Sequence, residues 1–139
     1  MAQQNINEKY VELEMINQRL QELNTALQRI DTEIEHIHIA ITTLDDLSSG
    51  DSTKELVIPI GAETFLTVTS DDVKTVKQSV GAGVIVERSS KQATSFLKNR
   101  IDTFKKEQEE YSNIYKQVIK KAETLQKEIE KDITTSTSS

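Results

Sequence analysis

The sequence has no cysteine, no tryptophan, one proline and four glycines in 139 residues. Without cysteine there is no disulfide framework and no thiolate zinc site. The absence of tryptophan, together with 4% aromatic and 29% charged residues, leaves too little for a thick monomeric core, so a length that would ordinarily suggest one globular domain points to a thin core. No apolar run approaches the roughly 18 residues of a membrane span. The opening residues Met1-Ala2-Gln3-Gln4-Asn5 offer neither the basic nor the apolar region of an export signal. The expected class is a reduced, cytoplasmic protein, neither exported nor anchored.

The few helix breakers are all in one place. Gly50, Pro59, Gly61, Gly81 and Gly83 fall between positions 50 and 83. A helix interior disfavours glycine by about 1 kcal/mol and proline by about 3, and both punctuate turns and strand ends. The chain therefore divides into an N-terminal helix over 1–49, a β insert over 50–88, a C-terminal helix over 89–133, and a Ser/Thr-rich tail over 134–139 expected to be disordered.

The first arm carries a heptad repeat. With Ile6 as position a, the a series is Ile6, Leu13, Leu20, Leu27, Ile34 and Ile41, and the d series is Lys9, Ile16, Leu23, Ile30, Ile37 and Leu44. An apolar period of 3.5 sustained over six heptads marks a coiled-coil seam, because a lone helix of period 3.6 drifts off such a stripe. The second arm repeats it more loosely, with a at Ile101, Gln108, Tyr115, Ala122 and Ile129 and d at Leu97, Phe104, Tyr111, Val118, Leu125 and Asp132. Residues 1–47 hold three basic and nine acidic side chains, whereas residues 90–139 hold ten and eight. Arms of opposite sign joined by a returning insert predict an antiparallel hairpin. Exposed ion pairs add only about 0.2 to 1 kcal/mol each, so they bias register while the apolar seam holds the helices together.

The insert reads as two β-hairpins. Residues 55–60 place Leu56, Ile58 and Ile60 on one face, and after Gly61-Ala62-Glu63 the run Thr64–Thr69 is rich in strand formers. Ser70-Asp71-Asp72 then turns into residues 73–80, and Gly81-Ala82-Gly83 leads into Val84–Arg88. Pro59 marks its strand as an edge or a bulge. Four short strands with little internal core leave apolar faces and edges open, which predicts completion of the sheet by other subunits. Leu56, Ile58, Ile60, Val84 and Val86 are the residues expected to line that oligomerisation surface. The fold class is α+β, a long antiparallel two-helix coiled coil with a central insert of two β-hairpins whose sheets are completed by other subunits.

Several stretches in fixed order carry a family resemblance: Leu56-Val57-Ile58-Pro59-Ile60-Gly61-Ala62 with Phe65-Leu66, then Ser79-Val80-Gly81-Ala82-Gly83, then Val86-Glu87-Arg88-Ser89 leading into Ala93-Thr94-Ser95-Phe96-Leu97. Between two heptad arms, they make the chain resemble the archaeal prefoldin family, in its two-hairpin alpha type, over nearly its whole length. The resemblance implies an ATP-independent chaperone subunit in a hetero-hexamer of two alpha and four beta chains. It implies coiled coils hanging from a double β-barrel, non-native proteins held at their tips, and delivery of these clients to a group II chaperonin.

Residue chemistry agrees in offering no catalytic constellation, no cofactor site and no metal site. His36 and His38 are two apart and point in different directions on a helix. Gly81-Ala82-Gly83 lacks the Lys-Ser/Thr of a phosphate loop. Glu12-Leu13-Glu14 and Glu107-Gln108-Glu109-Glu110 read as solvated faces. An RNA-binding arm would need a basic stripe, against a net charge of −6, and a membrane role has no span to support it. The remaining rival is a prefoldin-like scaffold that holds no clients.

Two further surfaces follow from the heptads. Ser89 and Gln92 have capping-box spacing at the start of the second arm, Ser48-Ser49-Gly50 forms a helix stop, and nearby Ile39, Leu47 and Phe96 are apolar off the seam. These last three are expected to dock the arms against the barrel. At the opposite ends of the arms, Tyr10 at e, Val11 at f, Met15 at c, Ile119 at e and Ile133 at e join the a residues Ile6 and Ile129. That excess over what a two-helix seam can bury is the expected client-binding tip.

Overall fold

The computed structural model describes residues 2–48, 53–70 and 74–137. Their elements run α1 (Ala2–Ser48), β1 (Lys54–Gly61), β2 (Thr64–Ser70), β3 (Thr75–Gly81), β4 (Val84–Ser89) and α2 (Ser90–Thr137). They group into a helical unit, Met1–Glu33 with Phe104–Ser139, and a hairpin unit, Ile34–Thr103.

Within the helical unit the two helices are antiparallel, as the cross-helix contacts show. Lys9 Nζ lies 2.6 Å from Asp132 Oδ2, Lys121 Nζ is 4.0 Å from Glu12 Oε1, and Gln108 donates a side-chain hydrogen bond to Asp31. Numbers rise along one helix as they fall along the other. Ile6, Ile16, Leu23 and Ile30 of α1 and Leu125 and Ile129 of α2 are buried. All of these are a or d positions, and Ile16, Leu125 and Ile129 form one cluster flanked by Leu13, Leu20, Val118 and Ala122. Ala26 and Glu33, both at g, are half-buried beside the seam.

The second helix extends beyond its expected end. A disordered tail was expected from Thr134, yet α2 is helical to Thr137. The Oγ1 atoms of Thr134, Thr135 and Thr137 donate back to the carbonyls of Glu130, Lys131 and Ile133, at 2.9, 2.9 and 2.7 Å. Threonine hydroxyls that would favour turns are thereby satisfied inside the helix. Residues 138 and 139 lie outside the described residues.

In the hairpin unit, β1 pairs with β2 and β3 with β4, both antiparallel, as two separate two-stranded sheets. The register sets Leu56 opposite Val68 and Ile58 opposite Leu66 on one face, with Pro59 opposite Phe65 on the other. Pairing shifts between Pro59 and Gly61. This is a bulge beside the turn, and Pro59, with no N–H to give the ladder, is tolerated next to it. In the second hairpin Gln78 opposes Val86 and Lys77 opposes Glu87, with an equivalent shift between Ser79 and Gly81. Both turns are built alike, with positive φ at Ala62 (48°) and Glu63 (56°) and at Ala82 (51°) and Gly83 (75°). Positive φ at both central residues is the type I′ geometry whose twist matches paired strands.

The start of α2 is firmly set. Ser89 N–H donates to Gln92 Oε1 at 3.2 Å while Gln92 N–H donates to Ser89 Oγ at 3.1 Å, a complete capping box. Ser90 N–H donates to the Lys74 carbonyl at 3.0 Å and so ties the entry of β3 to the first turn of the helix. Ala93 and Ile101 of α2 and Ile37 of α1 are buried in the same unit. The expected stop at Ser48-Ser49-Gly50 and the turn at Ser70-Asp71-Asp72 fall in part on residues outside the described ones; α1 is helical through Ser48.

Candidate functional site

Two apolar surfaces stand out, one in each unit. In the helical unit, the N-terminal part of α1 lies beside the C-terminal part of α2, where the heptads place an apolar excess. The structure separates the seven residues expected there. Ile6 and Ile129 are 5% and 3% exposed and belong to the seam, so they are not available on the folded surface. Ile119 is half-buried. Tyr10, Val11, Met15 and Ile133 are exposed, with Val11 at 59% and Met15 at 65%. Val11 and Met15 are one helical turn apart and share a face.

Between the buried isoleucines lies a contact that reading each helix separately cannot supply. Lys9 and Asp132 interrupt the d series of their own helices as polar residues, yet they meet across the seam at 2.6 Å, with Glu128 Oε2 at 3.8 Å from the same ammonium. The hydrogen bond and charge of Asp132, with Glu128 adding, hold the Lys9 ammonium pKa above its ordinary value. A mismatched register would strand either charge against apolar neighbours, so the pair favours the observed one. The signal available in the sequence is that both exceptions occupy d positions near the free ends of oppositely directed arms.

In the hairpin unit, the expected oligomerisation residues divide between the two sheets. Leu56 and Val86 are half-buried, and Ile58, Ile60 and Val84 are exposed. The alternation argument, which chose one face of each hairpin, misses the reverse faces. Val57 and Phe65, 61% and 60% exposed, stand on the back of the first hairpin, and Ile85 on the back of the second. A sheet whose strands are apolar on both faces reads as one to be covered on both. Of the expected docking residues, Leu47 and Phe96 are half-buried and Ile39 is exposed. The Arg88 guanidinium stacks over the Phe96 ring at 4.6 Å from its centroid, a cation–π contact that joins the end of β4 to α2.

His36 and His38 are both exposed. Among the described residues no three His, Asp or Glu side chains are placed to hold a metal ion, and no helix is long and apolar enough to cross a membrane.

The chain is similar to known proteins along nearly its whole length. The family model described as Prefoldin subunit matches residues 3–134. Prefoldin subunit alpha of Archaeoglobus fulgidus is 30% identical over 85% of this chain and 81% of its own length. Prefoldin subunit alpha of Pyrococcus horikoshii is 36% identical over 66% of this chain and 55% of its own length. Among solved structures, the filamentous PFD from Methanocaldococcus jannaschii superposes with a TM-score of 0.69 at 20% identity, covering 88% of this chain and 98% of that one. The prefoldin beta subunit from Thermococcus strain KS-1 superposes with a TM-score of 0.65 at 19% identity, over 91% and 90%. At those identities the two structures speak for the fold alone, two long helices with strand hairpins between them. A family match over residues 3–134, reinforced by an archaeal relative at 30% identity, is decisive: the chain belongs to the prefoldin family.

Proposed function

We propose that the chain is the alpha-type subunit of an ATP-independent molecular chaperone, which holds unfolded proteins at the ends of its coiled coil and passes them to a group II chaperonin. Membership of a chaperone family, one that is not a family of enzymes, supports the general reading. The observation that carries the finer one is the exposure of Tyr10, Val11, Met15 and Ile133 at one end of the helical unit. A folded helix gains nothing for its own stability by presenting valine and methionine to water, whereas a flexible, Met-containing surface can repack around many apolar segments. Each tip binds weakly and several tips on one client bind strongly.

The hairpins support assembly. Two-stranded sheets are marginal alone in water, and these leave apolar side chains on both faces. Two alpha-type chains with four beta-type chains, their hairpins closing shared barrels, would cover the edges and faces that this chain leaves open. The proposed working place is the cytoplasm.

The test is suppression of aggregation of a chemically denatured protein by the assembled complex with no nucleotide present. The parent complex suppresses aggregation. A variant combining Val11→Ser, Met15→Ser, Ile119→Ser and Ile133→Ser keeps its native mass and loses the suppression. Full holding by that intact variant would move the client site off this subunit's tip and favour the scaffold role.

A further inference from the structure

We propose that the outer face of α1 in the helical unit selects its clients by charge, taking apolar segments flanked by lysine or arginine in preference to those flanked by acidic residues. The inference rests on the client-holding reading above and names the class of segment that this surface fits. Its basis is the stripe Glu8, Val11, Glu12 and Met15, spaced i, i+3, i+4 and i+7 and therefore on one side of the helix. Val11 and Met15 are well exposed, and Glu14, one turn from Val11, is exposed on its other side. An apolar pair thus sits inside a rim of three carboxylates.

What makes the rim negative is where the nearby cations go. The first 22 residues contain two, Lys9 and Arg19. Lys9 is drawn into the seam by Asp132 at 2.6 Å and Glu128 at 3.8 Å, and Arg19 lies 3.5 Å from Glu22, past the end of the stripe. Across the helix pair, the ion pair to the rim among the described residues is Lys121 with Glu12, at 4.0 Å. Glu8 and Glu14 have no ion-pair partner among the described residues.

An unfolded segment laid on Val11 and Met15 brings its flanking side chains over these carboxylates. Flanking cations find partners there, and flanking anions meet like charge, which is the complementarity that discriminates between partners of equal apolar content. The three carboxylates, with Glu12 sharing its charge with Lys121, together give a preference of about tenfold.

The experiment uses the full chain and two fluorescent peptides that share one apolar core, one flanked by lysines and the other by glutamates, with affinities read by anisotropy. The expected result is binding about tenfold tighter for the lysine-flanked peptide, with the gap closing in about 0.5 M salt, where the screening length falls to a few ångströms. In a variant carrying Glu8→Gln, Glu12→Gln and Glu14→Gln, with unchanged circular dichroism, both peptides should bind and the gap should shrink to about twofold or less. Equal affinities for the unmodified chain overturn the selection while leaving tip holding in place, as does a gap that survives in the triple variant. Failure of both peptides to bind the unmodified chain overturns the holding reading and the selection with it.

Discussion

Replacing Ile30 with alanine separates what holds the helical unit together from what it offers to a partner. Ile30 is 1% exposed, the most deeply buried large side chain, and stands at d in the middle of the seam. The change removes three carbons, worth about 0.8 kcal/mol each in transfer from water, and leaves a cavity that two long helices fill only by closing together. A loss of about 2 to 4 kcal/mol follows, the range of buried Ile→Ala substitutions, with a few tenths returned by the better helix propensity of alanine. Met15→Ala on the same helix removes a side chain that is 65% exposed and should cost under about 0.5 kcal/mol. Urea titrations followed by circular dichroism, at one protein concentration because assembly shifts the midpoint, give the two numbers provided the slope is unchanged. In the aggregation assay the ranking reverses, with Met15→Ala reducing client holding and Ile30→Ala, below its shifted transition, sparing it. An Ile30→Ala variant within about 0.5 kcal/mol of the parent would refute the assignment of that heptad as the seam.

In the hairpins, Ile58→Lys should abolish assembly by burying an unpaired charge at a cost of several kcal/mol while circular dichroism keeps the helical signal; a parent-like native mass would exclude this face from the interface. Ser89→Ala removes the acceptor of the Gln92 N–H bond and should lower stability by about 1 kcal/mol, read as a lower urea midpoint, whereas an unchanged midpoint would show that the cap is not limiting. Glu63 holds a φ of 56° in the turn position that Gly83 occupies in the second hairpin, so Glu63→Gly should stabilise and Gly83→Ala destabilise, each by about 0.5 to 1 kcal/mol. Matched midpoint shifts of the same sign would contradict that turn assignment.

The seam is legible in the sequence because its period differs from that of a lone helix, and six heptads of α1 give the difference room to accumulate. The hairpins are legible because glycine and proline are confined to the insert. Harder to read are features that depend on two segments at once. Lys9 and Asp132 each look like a defect in their own heptads and acquire meaning only when the antiparallel register brings them together. The reverse-face residues Val57 and Phe65 escape an alternation argument because a strand that is apolar on both faces does not alternate. Thr134 to Thr137 look like a tail by composition, yet each of the three threonines bonded back to its own helix extends it. The tip illustrates the opposite limit. Heptad position correctly marks Tyr10, Val11, Met15 and Ile133 as outside the seam, but Ile6 and Ile129, grouped with them by proximity, are among the most buried side chains.

The two units differ in where their stability comes from, and that difference bears on how such a chain works. In the helical unit Ile6, Ile16, Leu23, Ile30, Leu125 and Ile129 are covered within the chain itself, down to 1% exposure at Ile30. In the hairpin unit each sheet has only two strands, and Ile58, Ile60, Phe65, Leu66, Val84 and Ile85 all remain exposed. Contacts between the strands and the helices include Lys54 to the Asp46 carbonyl and Ser90 to the Lys74 carbonyl, with Arg88 over Phe96 beside them. Hairpins of this kind gain order by mass action from whatever covers them, while the helices remain paired without help. On the proposed reading, a partner that covers the strands leaves the seam unaltered, and Val11 and Met15 stay exposed at their end of the helical unit.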